Sequence, residues 1–458
     1  MLCRLYTQAL LDGFFEIPYG DAGHAINDIT DFTAIVKGTM VAEMANPLQI
    51  IRALFSSRTA MLERLGAEIP RIGRASFGRI NVVLVNSPEL VPQVLIEQAD
   101  NFHKGPYFKE LSRPLLGNGL LNSEGKTHRK RRRLVAPAFA HDRVSRYAAV
   151  MREQAEAAQA AWVEGQQLDI AHEMMRLTLG IVGQTLFSVN LLDRADTLGR
   201  DITVLQKWLI RQMRLPFKLP QMRAPLQALA RLNETIYRLI GERRDSGEDN
   251  GDLLAMLLLS RDEETGEHLT DEEVRDEAMT LFVAGHETTA QAMAWSWYLL
   301  AKHPEQFERL RHEGAPFALQ VMKEAMRIYP PAFVLARFAI QETTIGGFAV
   351  HPGEVVLIAP WLLHRDPRNF EDPLRFDPDR FLPEREAAMP RFAYMPFGGG
   401  RRICIGNQFA LMEGQIILSS IASRVRFELL AKRPIALQPF ITLRPKGGVP
   451  MRVRRLND

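Results

Sequence analysis

The sequence predicts a mainly α-helical fold with small β-sheets, built as a single large domain over residues 1–458. Three observations carry that expectation. The capping box Thr270-Asp271-Glu272-Glu273 opens a run of periodic apolar residues that continues through Trp297 to about Lys302, about 30 residues or roughly 45 Å of helix. Ala/Leu/Met/Glu-rich helical patterns recur from Arg143 to about Glu164 and from Met174 to Phe187, whereas β-branched runs are brief. No linker, internal repeat or low-complexity tract divides the chain.

The first 70 residues mix short apolar patches with Gly and Pro and are assigned only loose helices. Asn81 to Asn86 is β-branched and turn-bounded, a strand. Ser87 then caps a helix with Pro88 at its first position. Gly165 stops the Arg143 helix. Pro216 and Pro220 punctuate an irregular stretch, and a further helix covers Ala224 to Arg244. The polar run Arg243 to Asp252 is a solvated loop. After the long helix comes a shorter one from Phe317 to Ile328, stopped by Tyr329-Pro330-Pro331. Strands follow at Arg337 to Ile340 and Val355 to Ala359, then a Pro/Asp-rich meander from His364 to Pro383. A glycine loop at Gly398 to Gly400 leads into a helix from Asn407 to Ser423, with short strands at the C-terminus.

Composition excludes several classes. Apolar residues make up 46% and charged residues 24%, ordinary for a globular chain. With 57 Lys+Arg against 54 Asp+Glu the net charge is +3, which gives no reason to expect nucleic acid or a membrane surface as partner. Two cysteines, Cys3 and Cys404, cannot hold a disulfide framework, a zinc ribbon or a four-thiolate iron–sulfur cluster. No apolar run approaches a bilayer span, and Met1 to Phe15 lacks the features of a secretory signal. A cytoplasmic protein is the default expectation.

The segment Phe397-Gly-Gly-Gly-Arg-Arg-Ile-Cys404-Ile-Gly406 decides the reading. A cysteine among glycine-rich backbone amides, beside Arg401 and Arg402 and just before a helix, should have its anionic form favoured. A buried free Cys is the ordinary alternative for a lone thiol. However, Phe397, Gly400, Arg402, Cys404 and Gly406 match, position by position, the haem-binding loop of the cytochrome P-450 family. The chain resembles that family from about Asn81 to its C-terminus. The resemblance implies the family's fold, a large helical domain with smaller β-rich regions. It also implies haem b as cofactor, with Cys404 as axial thiolate and metal ligand, Phe397 packed on the macrocycle and Arg402 on a propionate. A thiolate pushes electron density onto iron and favours O–O cleavage.

Three further motifs agree. Ala284-Gly285-His286-Glu287-Thr288-Thr289, in mid-helix, resembles the family's oxygen-activating segment. There Gly285 would let the helix bulge over the haem, Thr288 would hydrogen-bond the oxygen being activated, and Glu287 would relay protons. Read without the family, the Gly marks a helix–helix crossing. Thr289 is structural support, and His286, about 100° round the helix from its neighbours, is not a ligand. Glu324 and Arg327 resemble the Glu-x-x-Arg pair buried behind the haem, with Arg380 of Pro378-Asp379-Arg380-Phe381 as third member. Asp379 stands where Glu is commoner. His128, where Trp is frequent, and Arg132 resemble the propionate-binding pair, and Arg337 is placed for a further contact. Planar bidentate guanidinium groups suit such carboxylates. Arg129, Lys130 and Arg133 remain as surface docking charges. The connection over Glu305 to Pro316 is shorter than many members show.

The expected function is a haem-thiolate monooxygenase that activates dioxygen and oxidises a hydrophobic small organic substrate, such as a terpenoid, fatty acid or steroid. Electrons would come from an external ferredoxin- or flavodoxin-type donor with its reductase, docking through Arg129, Lys130 and Arg401; no nucleic acid and no membrane anchor is expected. Pocket walls are expected from His103 to Leu121, Phe187 to Arg223, Leu281 to Thr288, Ala332 to Ala336 and Pro439 to Thr442. Phe282, Val283, Phe333, Val334 and Leu335 would make the pocket apolar. The alternatives are a haem-thiolate peroxygenase or isomerase that does not activate dioxygen, a haem-based gas sensor, and a helical scaffold without haem.

Overall fold

The computed structural model describes residues 39–43, 57–77, 80–214, 222–261, 266 and 268–456. Most of the first 56 residues, and the Pro216 to Pro220 punctuation, thus lie outside the described residues. In chain order the structure opens with β1 (Thr39–Glu43), α1 (Arg58–Glu68), β2 (Ile72–Phe77), β3 (Ile80–Val85) and β4 (Phe102–His103). Helices α2 (Pro106–Leu116), α3 (Gly125–Val135) and α4 (His141–Ala161) follow, then β5 (Gln167–Asp169) and α5 (Ile170–Phe187). Next come α6 (Ala195–Arg214), α7 (Arg223–Ser246), α8 (Leu253–Leu259), α9 (Asp271–Lys302), α10 (Pro304–Glu313) and α11 (Ala315–Ile328). Short strands β6 (Leu335–Ala339), β7 (Thr343–Ile345), β8 (Phe348–Val350) and β9 (Val355–Ile358) precede the turns of helix α12 (Pro360–Leu363) and α13 (Pro383–Ala387). The chain closes with α14 (Asn407–Ala422), β10 (Val425–Leu429), β11 (Leu437–Pro439), β12 (Leu443–Pro445) and β13 (Pro450–Arg455).

Helix α9 is the spine. Its capping box forms as expected: the Glu273 amide donates to Thr270 Oγ1 at 3.2 Å, and the Thr270 amide donates to Glu273 Oε2 at 3.0 Å. These two bonds satisfy two of the four donors that a helix start leaves unpaired. From there α9 runs through the main apolar core, and from Ala290 to Leu300 every residue is buried. An element apolar on all sides is a central one. It packs along α5, where the Thr178 hydroxyl donates to the His286 carbonyl at 2.9 Å and Phe282 meets Phe187 edge to face at 6.1 Å.

The β structure stands at the margins. One six-stranded sheet has the order β1-β2-β3-β9-β6-β4; β10-β13-β5, β11-β12 and β7-β8 form three smaller sheets. Antiparallel pairing of β6 with β9 sets Arg337 opposite Val356. The stretch expected as a compressed connection is helix α10, turned into α11 by Gly314 at φ 67. Ser87 precedes only a 3₁₀ turn, Pro88–Leu90, followed by a single π-turn at Gln93–Glu97.

Behind α11 the meander is tied to a buried ion pair. Arg327 donates to Glu324 at 2.6 and 2.8 Å and to the carbonyls of His364 and Pro373 at 2.8 and 2.7 Å. The Asp377 amide donates to Glu324 at 2.9 Å, and Arg380 approaches the same carboxylate at 3.5 Å. Glu324 and Arg327 are both 0% exposed. The pair thereby gathers loop carbonyls and a loop amide, which ties the meander to α11. Asp379 belongs elsewhere: it pairs with Arg309 of α10 at 2.9 Å.

A cationic, cysteine-bearing candidate active site

The glycine loop closes on itself, with the Cys404 amide donating to the Phe397 carbonyl at 3.0 Å. Gly398 and Gly400 both have positive φ, 72 and 67, a region glycine enters without a side-chain clash. Space makes the second of them obligatory: a methyl group on Gly400 would stand 1.9 Å from the Leu95 carbonyl oxygen of the Gln93–Glu97 turn. Cys404 then precedes the start of α14, with an accessible side chain. Phe397 is half-buried against the main core.

The thiol corrects one expectation. Its surroundings push Cys404 up rather than down, loss of bulk water around this recessed side chain outweighing the Gly406 amide and Arg132. The two neighbouring arginines are engaged elsewhere, Arg401 with Asp100 at 2.8 Å and Arg402 with Glu124. The loop therefore presents a thiol, and bonding to a metal is what would release its proton.

Beside the loop lies a cavity of about 460 Å³ whose walls include His128, Arg132, Arg337, Arg402 and Glu124. The structure brings the first four, all chosen from the sequence, together from α3, β6 and the loop. Arg132 donates to the Ile403 carbonyl at 2.8 Å, next to the cysteine. Arg402 donates to the Ser123 carbonyl at 2.7 Å, while its Nη1 is buried without a hydrogen-bond partner among the described residues. Arg337 donates to the neighbouring Ala336 carbonyl, at 2.9 Å. Lys104 joins from the loop after β4, its Nζ donating to the Leu121 carbonyl at 2.7 Å.

Positive charge is in excess here. Burial, then Arg402, Lys104, Arg132 and Arg129, drive His128 down to about 4. Burial and Arg402 lower Arg337 to about 10, and Lys104 falls well below the usual lysine value. Glu124 is the carboxylate that counters them in each of the last two. A cluster of this kind calls for further anionic charge. An orphaned guanidinium nitrogen and surplus cations beside a cysteine fit a haem with two propionates and a thiolate ligand.

On α9 the expected residues divide. Thr288 is half-buried and donates to the Ala284 carbonyl at 2.9 Å. Ala284, in the middle of this otherwise buried helix, is exposed. This face of α9 is open. Gly285 is on another face and corrects the expected bulge: α9 is continuous helix, and a methyl group on Gly285 would meet Val182 of α5 at 3.3 Å. The glycine serves the helix crossing. His286 is 0% exposed and donates from Nδ1 to the Phe282 carbonyl, 2.6 Å away.

Glu287 also departs from expectation. It is 2% exposed and held by Arg444, at 2.6 and 3.0 Å, with Thr442 and Gln206 as further donors. Burial alone would raise this carboxyl, but Arg444, Thr442 and Gln206 together hold it below the usual carboxylate value. It is a stable carboxylate joining α6, α9 and the β11-β12 hairpin. Delivery of a proton from it would first require breaking the pair. Nothing in the sequence marked Gln206, Thr442 or Arg444 as its partners, since Gln206 lies 81 residues away and Arg444 lies 157.

Two pocket assignments also change. Phe282 and Phe333 are each 1% exposed and belong to the core, whereas Val283, Val334 and Leu335 are half-buried. Of the basic run, Arg131 is the buried member, paired with Glu273 at 2.8 Å and Glu277 at 3.4 Å. Arg129 and Arg133 are exposed. No helix among the described residues is long and apolar enough to cross a membrane.

Comparison with known proteins yields consistent matches. A family model, Cytochrome P-450, matches residues 57–449. Cyclooctatin synthase from Streptomyces melanosporofaciens is 38% identical over 387 residues, 79% of this chain and 84% of the relative. Cyclooctat-9-en-7-ol 5-monooxygenase from the same organism is 35% identical over 413 residues, covering 85% and 87%. The crystal structure of CYP175A1 from Thermus thermophillus superposes with a TM-score of 0.77 at 29% identity, over 90% of this chain and 99% of that one.

Proposed function

The chain belongs to the cytochrome P-450 family, and on that premise we propose that it is a haem-thiolate monooxygenase. It inserts one atom of dioxygen into a hydrophobic organic molecule and reduces the other to water, with two electrons from a separate donor. The cationic cavity beside Cys404, with its orphaned Arg402 Nη1, is the observation that carries this reading. Cys404 would hold the haem iron; Arg132, Arg337 and Arg402 would take its carboxylates, and His128 would donate a ring N–H to one of them. Haem bound in this way supplies electron density that favours O–O cleavage.

The residues around it orient and exclude. Thr288, on the open face of α9, donates its hydroxyl to the Ala284 carbonyl and can donate to oxygen instead once that bond is released, while its oxygen accepts from water. Val283, Val334 and Leu335 select apolar molecules and keep water out. The relative cyclooctat-9-en-7-ol 5-monooxygenase is named for an unsaturated alcohol. A terpenoid-like, mostly hydrocarbon substrate is the class proposed here. The donor is a ferredoxin- or flavodoxin-type protein meeting the exposed Arg129 and Arg401, the latter shared with Asp100. Arg401→Glu should slow reduction by an acidic donor at low salt.

The test is spectroscopic. Carbon monoxide on the reduced protein should give the long-wavelength absorption maximum of thiolate ligation, and Cys404→Ser should abolish it. A retained maximum in that variant would overturn the assignment. The tie between Glu287 and Arg444 favours a second reading, a peroxide-driven oxygenase that needs no relayed protons. Turnover with peroxide but none with reduced donor and oxygen would select it.

A further inference from the structure

Glu124 is the residue before α3, in the N-cap position. An acid there ordinarily turns its side chain back to accept an amide of the first helical turn. Glu124 makes no such bond; its side chain lines the cationic cavity beside the cysteine loop instead. The Lys104 amide donates to Oε1 at 2.9 Å, and Arg402 donates from Nη2 to Oε2. The backbone is fixed as well, the Glu124 carbonyl accepting the His128 amide at 3.2 Å. Both oxygens are thus held, and the side chain is 19% exposed. The other acid on this wall, Asp100, is 75% exposed and pairs with Arg401.

Arg132, Arg337 and Arg402 bring three guanidinium groups to the cavity. A haem carries two propionates, so Glu124 would be the third carboxylate among them. Its charge already works against the burial that lowers Lys104, Arg337 and Arg402, raising each of the three. Arg402 is divided: Nη2 goes to Glu124, while the buried Nη1 has no hydrogen-bond partner among the described residues and is left for a propionate. Reducing a haem by one electron adds a unit of negative charge to it. A carboxylate fixed on the same guanidinium opposes that addition, and a largely buried charge is screened little by salt.

We propose that Glu124 sets the reduction potential of the bound haem, holding it below the value the guanidinium cluster alone would give, so that only a strongly reducing donor delivers the electron. One electron passes from the donor to the haem; no bond forms or breaks at Glu124 and no proton is taken up there. Glu124 acts through Arg402 and touches no reacting atom, which makes it a positioning residue. The proposal rests on the haem-thiolate reading above.

Spectroelectrochemical titration of the haem-loaded full chain at neutral pH tests it. Glu124→Gln keeps the shape and loses the charge, and its midpoint potential should rise. Reduction at a fixed donor potential should become about tenfold more favourable, a shift of about 59 mV for one electron. Glu124→Asn, with a side chain favoured at the N-cap, should shift the same way and carries the test if the glutamine variant does not load haem. Glu124→Asp keeps the charge and should stay near the parent potential, a rescue that a purely steric role would not give. Asp100→Asn loses an equal charge from an exposed position and should move the potential much less. No rise in either neutral variant, or an equal rise in Asp100→Asn, would overturn the proposal. Absence of the carbon monoxide signature in the unmutated protein would overturn the haem-thiolate reading instead.

Discussion

Three glutamates buried to the same degree behave as three different groups. Glu287 meets Arg444 and two neutral donors and is held as a carboxylate. Glu324 is chelated by Arg327 and meets Arg380 and a loop amide. Glu413 meets one hydroxyl and keeps its proton. The contrast gives a residue-level prediction. Arg444→Met should cost about 3–5 kcal/mol, because it strands a charge that is 2% exposed. The double variant Glu287→Gln, Arg444→Met should recover much of that loss in thermal or urea unfolding, since replacing both partners removes the stranded charge. An additive double variant would mean the pair is energetically idle.

At the scale of elements, two glycines that look alike in sequence serve different ends. Gly285 sits in continuous helix against Val182, whose side chain an added methyl would meet at 3.3 Å and would have to displace by a few tenths of an ångström. Ala has the better helix propensity by about 1 kcal/mol, so Gly285→Ala should change stability by less than about 1 kcal/mol. Its carbon monoxide spectrum should be unchanged. A bulge required for haem binding would make the same change severe. Gly400 has the opposite constraint, a positive φ and a carbonyl oxygen 1.9 Å from any added methyl. Gly400→Ala should lose haem while α9 and the main core remain folded by circular dichroism.

These elements were legible to different depths. Helix α9 could be read to within a residue, because a capping box and an uninterrupted apolar run are both local signals. The glycine loop was equally plain, its spacing being set by backbone geometry inside ten residues. Helix α10 was missed: Pro304 at its start looked like a terminator, and its polar sequence PEQFERLRHE offers only Phe307 and Leu310 to the core. Glu124 of the cationic cavity and the nearby Lys104 left no local trace. Glu413 did leave one, a single acid in an apolar helix, which is a pattern worth weighing in any sequence.

For the molecule as a whole, two buried groups shape stability with pH in opposite senses. Glu413 is raised from 4.5 to about 8. Its contribution is complete below about pH 4.5 and is lost as pH rises through about 8, since the unfolded chain ionises first. His364, lowered from 6.5 to about 3 chiefly by burial and then by Arg327, contributes above pH 6.5 and is lost as pH falls toward 3. Glu413→Gln should therefore gain on the parent as pH rises from about 4.5, levelling off above about 8 with an advantage of up to about 5 kcal/mol. Unfolding temperatures across that range check it, and a gap that does not vary with pH would contradict the buried, protonated state.

The sequence by itself determined the helical class, the cysteine loop, the Glu324–Arg327–Arg380 cluster and the arginines that converge beside the loop. The first two are written in short spacings whose geometry follows from one helix or one turn, and the other two were read through the resemblance to a known family. Only the tertiary structure decided what each buried acid and each arginine meets, hence which hold charge and which hold protons. Ionisation depends on neighbours brought from distant segments and on how much water they exclude. Glu287 and Glu413 differ in just this respect: in one, folding placed Arg444 against the carboxyl, and in the other it left only Thr289.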